Sequence, residues 1–155
     1  MMEALAGEDN LVGVEASCLG AYSLPIGDDF PRLCNCFVEL SKESCMKYEW
    51  DDEINMLKLD RVLHNSIFYP LYYGFIPQTL CGDGDPLDVL VLVTSALQPG
   101  SIVDICPLGY MVMEDEKGLD EKVLAVPDKD PRFDHMKSLR DVPERTQREI
   151  ANIFE

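Results

Sequence analysis

The feature that most constrains the fold is residues 81–94, where a turn crowded with carboxylates leads directly into an apolar run. The stretch reads C-G-D-G-D-P-L-D-V-L-V-L-V-T. Its Val- and Leu-rich part, 87–93, predicts a strand that is buried on both faces. Two glycines and a proline interrupt regular pairing before this strand. Asp83, Asp85 and Asp88 are therefore predicted to lie on a tight turn at its start.

Three carboxylates placed this closely repel one another and raise one another's pKa, so we expect a positive charge between them. Hard oxygen ligands on a short turn favour Mg²⁺ or Mn²⁺ over softer metals. A solvated acidic turn is the alternative. A calcium EF-hand loop does not match, because Leu87 and Asp88 stand where it needs an acid or Asn and then Gly. An aspartyl-phosphate phosphohydrolase does not match either, because it needs Thr or Val at Leu87.

The composition is that of one acidic globular domain. The chain has 155 residues, of which 46% are hydrophobic, and its formal net charge is −16. That length fits a single domain with one core. The negative charge argues against binding nucleic acid or an anionic membrane through a basic surface. An anionic substrate would require metal ions and a few Lys and Arg side chains to invert the charge locally.

The cysteines and the N-terminus point to a cytoplasmic protein. No C-x-x-C pair occurs, so we interpret the cysteines as reduced thiols and consider a zinc site at Cys34, Cys36 and Cys45 weakly supported. The N-terminus carries acids and no basic segment, unlike a secretory signal peptide. No apolar run approaches the roughly 20 residues that span a bilayer. The six cysteines are at positions 18, 34, 36, 45, 81 and 106.

Periodicity sets the expected domain boundary. Residues 1–30 have weak periodicity, and we expect them to form a loosely ordered N-terminal arm before one domain, 31–155. A β-rich run at 33–40 begins that domain and places Glu39 in an otherwise apolar strand. Glu39 is either a ligand in a binding site or, as the alternative, an ordinary charge on an edge strand.

Residues 46–61 alternate on both sides of an acidic turn, which predicts a β-hairpin. Period two puts Lys47 and Glu49 on one face of its first strand and Tyr48 on the other. Arg61 ends the second strand. Ordinary solvated strand charges are the alternative interpretation of Lys47 and Arg61.

The rest of the chain predicts more strands. An aromatic segment at 68–77 is broken by Pro and Gly, so it suits a packed irregular segment or a short strand. Core packing is the alternative role for its three tyrosines. A long β run is predicted at 101–113, interrupted by a proline and a glycine. The acidic stretch 114–122 is predicted to be a charged loop that leads to a short strand at 123–126.

A helix is predicted at the C-terminal end of the sequence. Asp141 is the expected N-cap, because acids and a proline follow it in the first turn. The helix continues amphipathically over 148–154, with Ile150, Ile153 and Phe154 predicted to face inward.

Together these motifs resemble the soluble Family I inorganic pyrophosphatases over about residues 30–155. The resemblance implies an α+β fold dominated by β structure, namely a small, highly twisted, closed β-barrel. That OB-like barrel would have about five strands, with helices packed outside. The motifs are D-G-D-P-L-D-V-L-V at 83–91, F-V-E-L at 37–40, K-Y-E at 47–49, D-R-V from 60, F-Y-P-L-Y-Y-G-F at 68–75 and D-x-x-x-x-D-x-K at 115–122.

The resemblance also implies a metal site. Asp83, Asp88 and Asp120 would be direct Mg²⁺ ligands, with Asp88 shared between two ions. Asp115 would join Asp120 on a further ion that arrives with substrate. Glu39 would hold a metal through water. Several Mg²⁺ ions per site are implied, with Mn²⁺ and Zn²⁺ as substitutes that the sequence leaves open.

The implied reaction is Mg²⁺-dependent hydrolysis of pyrophosphate to two phosphates by direct attack of a metal-activated water. Metal ions lower the pKa of a bound water and neutralise charge on the substrate. Asp85 would be the general base beside that water, and Arg61, Lys47 and Tyr73 would also be catalytic. The side chains implied to bind substrate are Lys47, Glu49, Arg61, Tyr73 and Lys122.

One departure from the family concerns the C-terminal helix. The family continues this helix into an adjacent Tyr-Lys pair that contacts the distal phosphate, and this sequence ends just before that pair. The alternative function is therefore an impaired metal- and phosphate-binding remnant of the same fold. The oligomeric state, homo-oligomer included, is left open by the sequence.

Overall fold

The computed structural model describes residues 20–64, 68–115 and 118–154, and only the backbone of Asp115. Within these residues it has seven strands, one α-helix and three short 3₁₀ turns. The strands are β1 Cys34–Leu40, β2 Met46–Asp51, β3 Met56–Val62, β4 Tyr72–Ile76, β5 Leu87–Val91, β6 Ile102–Asp115 and β7 Gly118–Pro127, and the helix is α1 Glu144–Phe154.

Five strands form a closed barrel in the order β1-β4-β5-β7-β6, and β6 pairs back onto β1. Four of the pairings are antiparallel, whereas β5 and β7 are parallel. The remaining strands, β2 and β3, form a separate antiparallel hairpin. The predicted β-dominated, five-stranded barrel is therefore confirmed.

The two faces of the barrel strands bury different apolar clusters, because successive side chains in a strand point to opposite faces. One cluster takes residues from all five barrel strands, among them Cys36, Tyr72 and Val89. The other contains Leu90 and Leu124 and is covered by α1 and the turns before it. Tyr72 and Tyr73 are neighbours in β4 and belong to different clusters. Tyr72 therefore packs in the first cluster, whereas Tyr73 packs in the second cluster on the opposite face of the sheet.

Most predicted strands are confirmed, with one correction. The run at 101–113 is β6, and its predicted interruption is a register shift between Pro107 and Gly109. The loop predicted at 114–122 is wrong, because β6 extends to Asp115 and β7 begins at Gly118. Pairs such as Met113 with Asp120 continue the ladder through the acidic stretch.

The C-terminal helix is confirmed, but two of its details were wrong. Asp141 caps the preceding 3₁₀ turn instead, because its carboxylate accepts from the backbone N–H groups of Lys137 and Ser138, each at 2.9 Å. Ile150 is 6% exposed, as predicted, whereas Ile153 is 39% exposed. Phe154 is half-buried against the same cluster as Ile150.

Residues 20–30 of the predicted arm are described, and the first of them pack on the barrel. Ala21 lies in a short 3₁₀ turn and is buried against Phe37 and Phe75 of the barrel. Residues 1–19 lie outside the described residues, and so does Cys18. The boundary at residue 30 stays a prediction.

The other five cysteines are free thiols in the structure. Cys34 and Cys36 belong to the same apolar cluster, as their alternation in β1 predicts. None of the helices in the described residues combines the length and apolarity needed to cross a membrane.

Candidate active site

The predicted site residues converge on one cleft of about 390 Å³ between the barrel, the hairpin and the end of α1. Its lining carries six carboxylates and three basic side chains. The predicted residues in the lining are Glu39, Lys47, Glu49, Arg61, Tyr73, Asp83, Asp85, Asp88, Asp120 and Lys122. Asp115 was also predicted, but its side chain lies outside the described residues.

The acidic turn joins β4 to β5 and is held by its own backbone. The Asp85 N–H donates to Asp83 Oδ1 at 3.0 Å, and Cys81 N donates to the Asp85 carbonyl at 2.8 Å. Gly84 adopts φ 90°, a left-handed conformation that glycine takes without steric cost. Thr79 Oγ1 accepts from Leu87 N at 2.8 Å and so fixes the start of β5.

A buried cation lies among the predicted metal ligands. Lys122 is 6% exposed, and its Nζ lies 2.8 Å from Asp88 Oδ2, 2.9 Å from Asp120 Oδ2 and 2.8 Å from the Tyr73 hydroxyl. The fold explains this arrangement. Asp88 and Lys122 are paired in the parallel β5–β7 ladder, and Asp120 lies two residues earlier on the same face. The Tyr73 hydroxyl donates to Asp88 Oδ2 across the β4–β5 pair.

Burial and the neighbouring charges together shift the pKa values of Asp88, Lys122 and Tyr73. Burial raises the pKa of the Asp88 carboxyl, and the charge of Lys122 acts in the opposite sense. Burial alone would lower the pKa of Lys122, but the charge and hydrogen bond of Asp88, together with Asp120, raise it. Burial and the charge of Asp88 raise the pKa of Tyr73, so its hydroxyl remains a donor at neutral pH. The ammonium therefore offsets part of the negative charge that the strands bring together.

Glu39 is a buried carboxylate at the mouth of the barrel, 8% exposed. Burial raises its pKa to about 7, although a hydrogen bond of 2.8 Å from the Trp50 N–H opposes that shift. The charge of Asp88 adds to the increase. Glu39 is thus not an exposed edge-strand charge, which was the alternative interpretation.

The hairpin supplies the remaining basic residues. Lys47 forms an ion pair with Glu49 on the same strand face, as alternation predicts, and its Nζ lies 3.6 Å from Asp60 Oδ2. The Lys47 side chain is largely buried, whereas that of Arg61 is exposed and lies 3.5 Å from the same carboxylate. The Arg61 side chain is solvated, which agrees with the alternative interpretation given above for this residue. Tyr48 also lines the cleft.

Tyr48 contributes to the cleft lining together with Lys47 and Glu49, and its predicted orientation toward the opposite face of β2 stays a prediction. The ladder shifts register at this point. Lys47 pairs with Arg61 and Tyr48 with Leu59, so one residue of β3 is left between the two pairs. The extra residue, Asp60, belongs to β3, so the bulge changes the local twist of the hairpin without interrupting the alternation of β2.

The donor chemistry of the cleft fits a hard divalent cation. Its carboxylates supply only oxygen ligands, which suit Mg²⁺. Burial raises the pKa of both Glu39 and Asp88, so a cation bound in the cleft would favour their ionised forms. Within residues 20–64, 68–115 and 118–154, however, no three acidic, His or Cys side chains are grouped closely enough to hold one ion. The individual ligand assignments stay predictions.

Several lining residues were not found from the sequence. Tyr22 comes from the arm, to which no function had been given, and Phe154 comes from the last turn of α1. For Tyr69 and Met113 the sequence predicts only an aromatic segment and a β run. Tyr69 belongs to the motif at 68–75, but Tyr22, Met113 and Phe154 carry no local motif. They reach the cleft only because distant elements fold together.

Comparison with known proteins agrees with this site. The family model for inorganic pyrophosphatase matches residues 36–155. Inorganic pyrophosphatase from Thermus thermophilus is 49% identical over 133 residues, which cover 86% of this chain and 76% of that protein. The chain belongs to the inorganic pyrophosphatase family. The predicted membership is therefore confirmed, and the family's enzymes are hydrolases that act on diphosphate.

Other members show the same likeness. Inorganic pyrophosphatase from Sulfolobus acidocaldarius is 48% identical and is matched over 83% of this chain and 76% of its own length. The crystal structure of the Thermus thermophilus enzyme superposes with a TM-score of 0.84, covering 86% of this chain and 77% of that one. The structure from Helicobacter pylori, 43% identical, gives a TM-score of 0.80 and covers 85% and 78%. The family assignment thus holds in both sequence and fold.

Proposed function

We propose that this chain hydrolyses inorganic pyrophosphate to two phosphate ions and requires Mg²⁺ to do so. The observation that carries the proposal is the meeting of six carboxylates and three basic side chains in one cleft. Membership of the inorganic pyrophosphatase family supports it. We also propose that residues 31–155 form the catalytic domain.

Asp83, Asp88 and Asp120 are the proposed direct ligands of Mg²⁺, with Asp115 on a further ion and Glu39 acting through water. Such ions, when bound, neutralise phosphate charge and lower the pKa of a water molecule. Mn²⁺ and Zn²⁺ as substitutes stay predictions.

Asp85 is the proposed general base. The turn fixes its backbone at both ends, through Asp83 and Cys81. No residue in the described ranges donates a hydrogen bond to its carboxylate, and the side chain is exposed at the cleft. A carboxylate held this way can accept the proton of an attacking water without first losing a partner.

Lys47, Arg61, Lys122 and Tyr73 are proposed to hold the phosphate oxygens, with Glu49 as a polar partner in the same cavity. Arg61 offers a planar fork of donors, whereas Lys47 and Lys122 offer point charges. The ion pairs of Lys47 with Glu49 and of Lys122 with Asp88 position both ammonium groups at the cleft. Phosphoryl transfer depends mainly on such positioning and charge stabilisation.

Phosphate release from pyrophosphate tests the proposal, measured with and without millimolar Mg²⁺. The native chain and Asp134→Asn, an exposed control outside the cleft, should both release phosphate only with Mg²⁺. Asp85→Asn should lower the rate by about 100-fold or more, the usual contribution of a general base. An inactive native chain with Mg²⁺, or a fully active Asp85→Asn variant, would contradict the proposal.

Nothing in the described part of the chain favours the alternative of an impaired binding remnant, so we do not propose it. A cytoplasmic location and the oligomeric state stay predictions from the sequence.

A further inference from the structure

The hairpin β2–β3 carries three predicted substrate-binding residues, yet its strands are not paired with the barrel. Lys47, Glu49 and Arg61 therefore reach the substrate in the correct place only if the whole hairpin is held at the correct angle. The contacts that seat the hairpin on the barrel consequently matter for the geometry of the cleft.

One of these contacts is the peptide backbone of Trp50. Its N–H donates to Glu39 Oε1 at 2.8 Å, and its carbonyl accepts from the Tyr22 hydroxyl at 3.1 Å. The N–H and C=O of one strand residue point to the same side of the strand. Glu39 from the barrel and Tyr22 from the arm thus meet the same outer edge of β2.

Tyr22 is itself firmly placed. Its ring packs on Phe75 with centroids 5.0 Å apart, and its carbonyl accepts from Gln78 N at 2.9 Å. The neighbouring Gly20 lies so close to the hairpin turn that an added Cβ would stand 2.1 Å from Asp52 Oδ1. The arm therefore fits tightly between the hairpin turn and the segment that follows β4.

We propose that Tyr22 is a positioning residue. Its hydroxyl holds the Trp50 peptide in place and thereby fixes the position of the Glu39 carboxylate and the orientation of the hairpin on the barrel. The directions of both hydrogen bonds are fixed, because a carbonyl can only accept and a backbone N–H can only donate. The kinetic consequence of this inference rests on the proposed function, whereas its structural consequence does not.

Hydrogen exchange at the Trp50 amide tests the structural part. Tyr22→Phe removes one oxygen atom and keeps the ring on Phe75. Exchange of this amide should become about three- to tenfold faster, the effect of losing one ordinary hydrogen bond. Tyr110→Phe, on a tyrosine that is 68% exposed and outside the cleft, is the matched control and should leave it unchanged. Unchanged exchange in Tyr22→Phe, with the native melting temperature, would overturn the proposal.

A double-mutant cycle with Glu39→Gln tests the kinetic part. Tyr22→Phe alone should lower kcat/KM for pyrophosphate by about three- to tenfold. If Tyr22 acts through Glu39, the loss in the double variant should be clearly smaller than the product of the two single losses. Losses that simply multiply would show that Tyr22 acts independently of Glu39 and would overturn the assignment. An inactive native chain would refute the proposed function, while the exchange result would still decide the positioning of Trp50.

Discussion

At the scale of single residues, Glu39 is the most buried carboxyl among the residues that the structure describes. It lies in a strand with almost no exposed surface and accepts one backbone hydrogen bond from Trp50. The carboxylate of Asp88 faces it across the cleft and makes ionisation harder. A group in this situation is ready to give up a proton when positive charge arrives.

We predict that Glu39 couples stability of the metal-free protein to pH. Its pKa is about 7 in the fold against an ordinary value of 4.5, so the folded state binds the proton more tightly. The resulting stabilisation is complete below pH 4.5 and is lost as the pH rises through 7. Glu39→Gln cannot ionise and keeps an acceptor for Trp50. Urea unfolding in the presence of a chelator measures this effect. Between pH 4.5 and 7, the free energy of unfolding should fall less for Glu39→Gln than for the native chain.

The two unfolding curves would run parallel with pH if Glu39 were ordinarily solvated. Millimolar Mg²⁺ provides an internal check, because a bound cation favours the ionised carboxylate and should reduce the difference between the two proteins.

The sequence predicted those site residues whose partners lie nearby in the chain or at alternate positions of the same strand. Asp83, Asp85 and Asp88 share one short motif, and all three line the cleft. Lys122 was predicted as a phosphate ligand, but its ion pair with Asp88 depends on a parallel pairing between strands 34 residues apart. Tyr22 had no local signal at all, because its role depends on contacts with Trp50 and Phe75.

At the scale of elements, helix α1 shows why an amphipathic pattern leaves some positions undecided. At about 100° per residue, Phe154 lies roughly 40° around the helix from Ile150, whereas Ile153 lies about 60° away in the other direction. The side that carries Phe154 faces the barrel and the cleft, so Ile153 turns toward solvent. Hydropathy alone could not distinguish these two directions.

We predict unequal costs for two isoleucines in this helix. Ile150→Ala should destabilise the protein by about 2–4 kcal/mol, since it removes a buried side chain from a packed cluster. Ile153→Ala, the matched control, should cost less than about 1 kcal/mol, because its side chain is partly solvated. Urea unfolding measures both. Equal losses would mean that Ile153 is as buried as Ile150, as the sequence pattern had predicted.

At the scale of the whole molecule, the chain has a net charge of −16, and the fold brings six of its 29 acidic residues into one cleft. Negative charges distributed over a compact chain repel one another and favour expansion. A divalent cation bound in the cleft would relieve this repulsion where it is strongest, and sodium ions would only screen it.

We predict that Mg²⁺ at about 100 times its dissociation constant raises the melting temperature by about 5–10 °C, because binding at that excess contributes about 2.7 kcal/mol. NaCl of equal ionic strength should give a smaller increase. Asp88→Asn should remove the Mg²⁺-specific part and keep the effect of salt. Equal shifts from the two salts in the native protein would exclude a specific site.

The hairpin edge at Trp50 has a consequence for solubility as well as for geometry. An open strand edge presents backbone donors and acceptors that can recruit a strand from another molecule. Here the Glu39 carboxylate and the Tyr22 hydroxyl occupy the N–H and C=O of Trp50 from two different elements. A carboxylate that belongs to the candidate active site therefore also shields part of this edge from intermolecular β pairing, so resistance to aggregation and the architecture of the cleft depend on the same side chain.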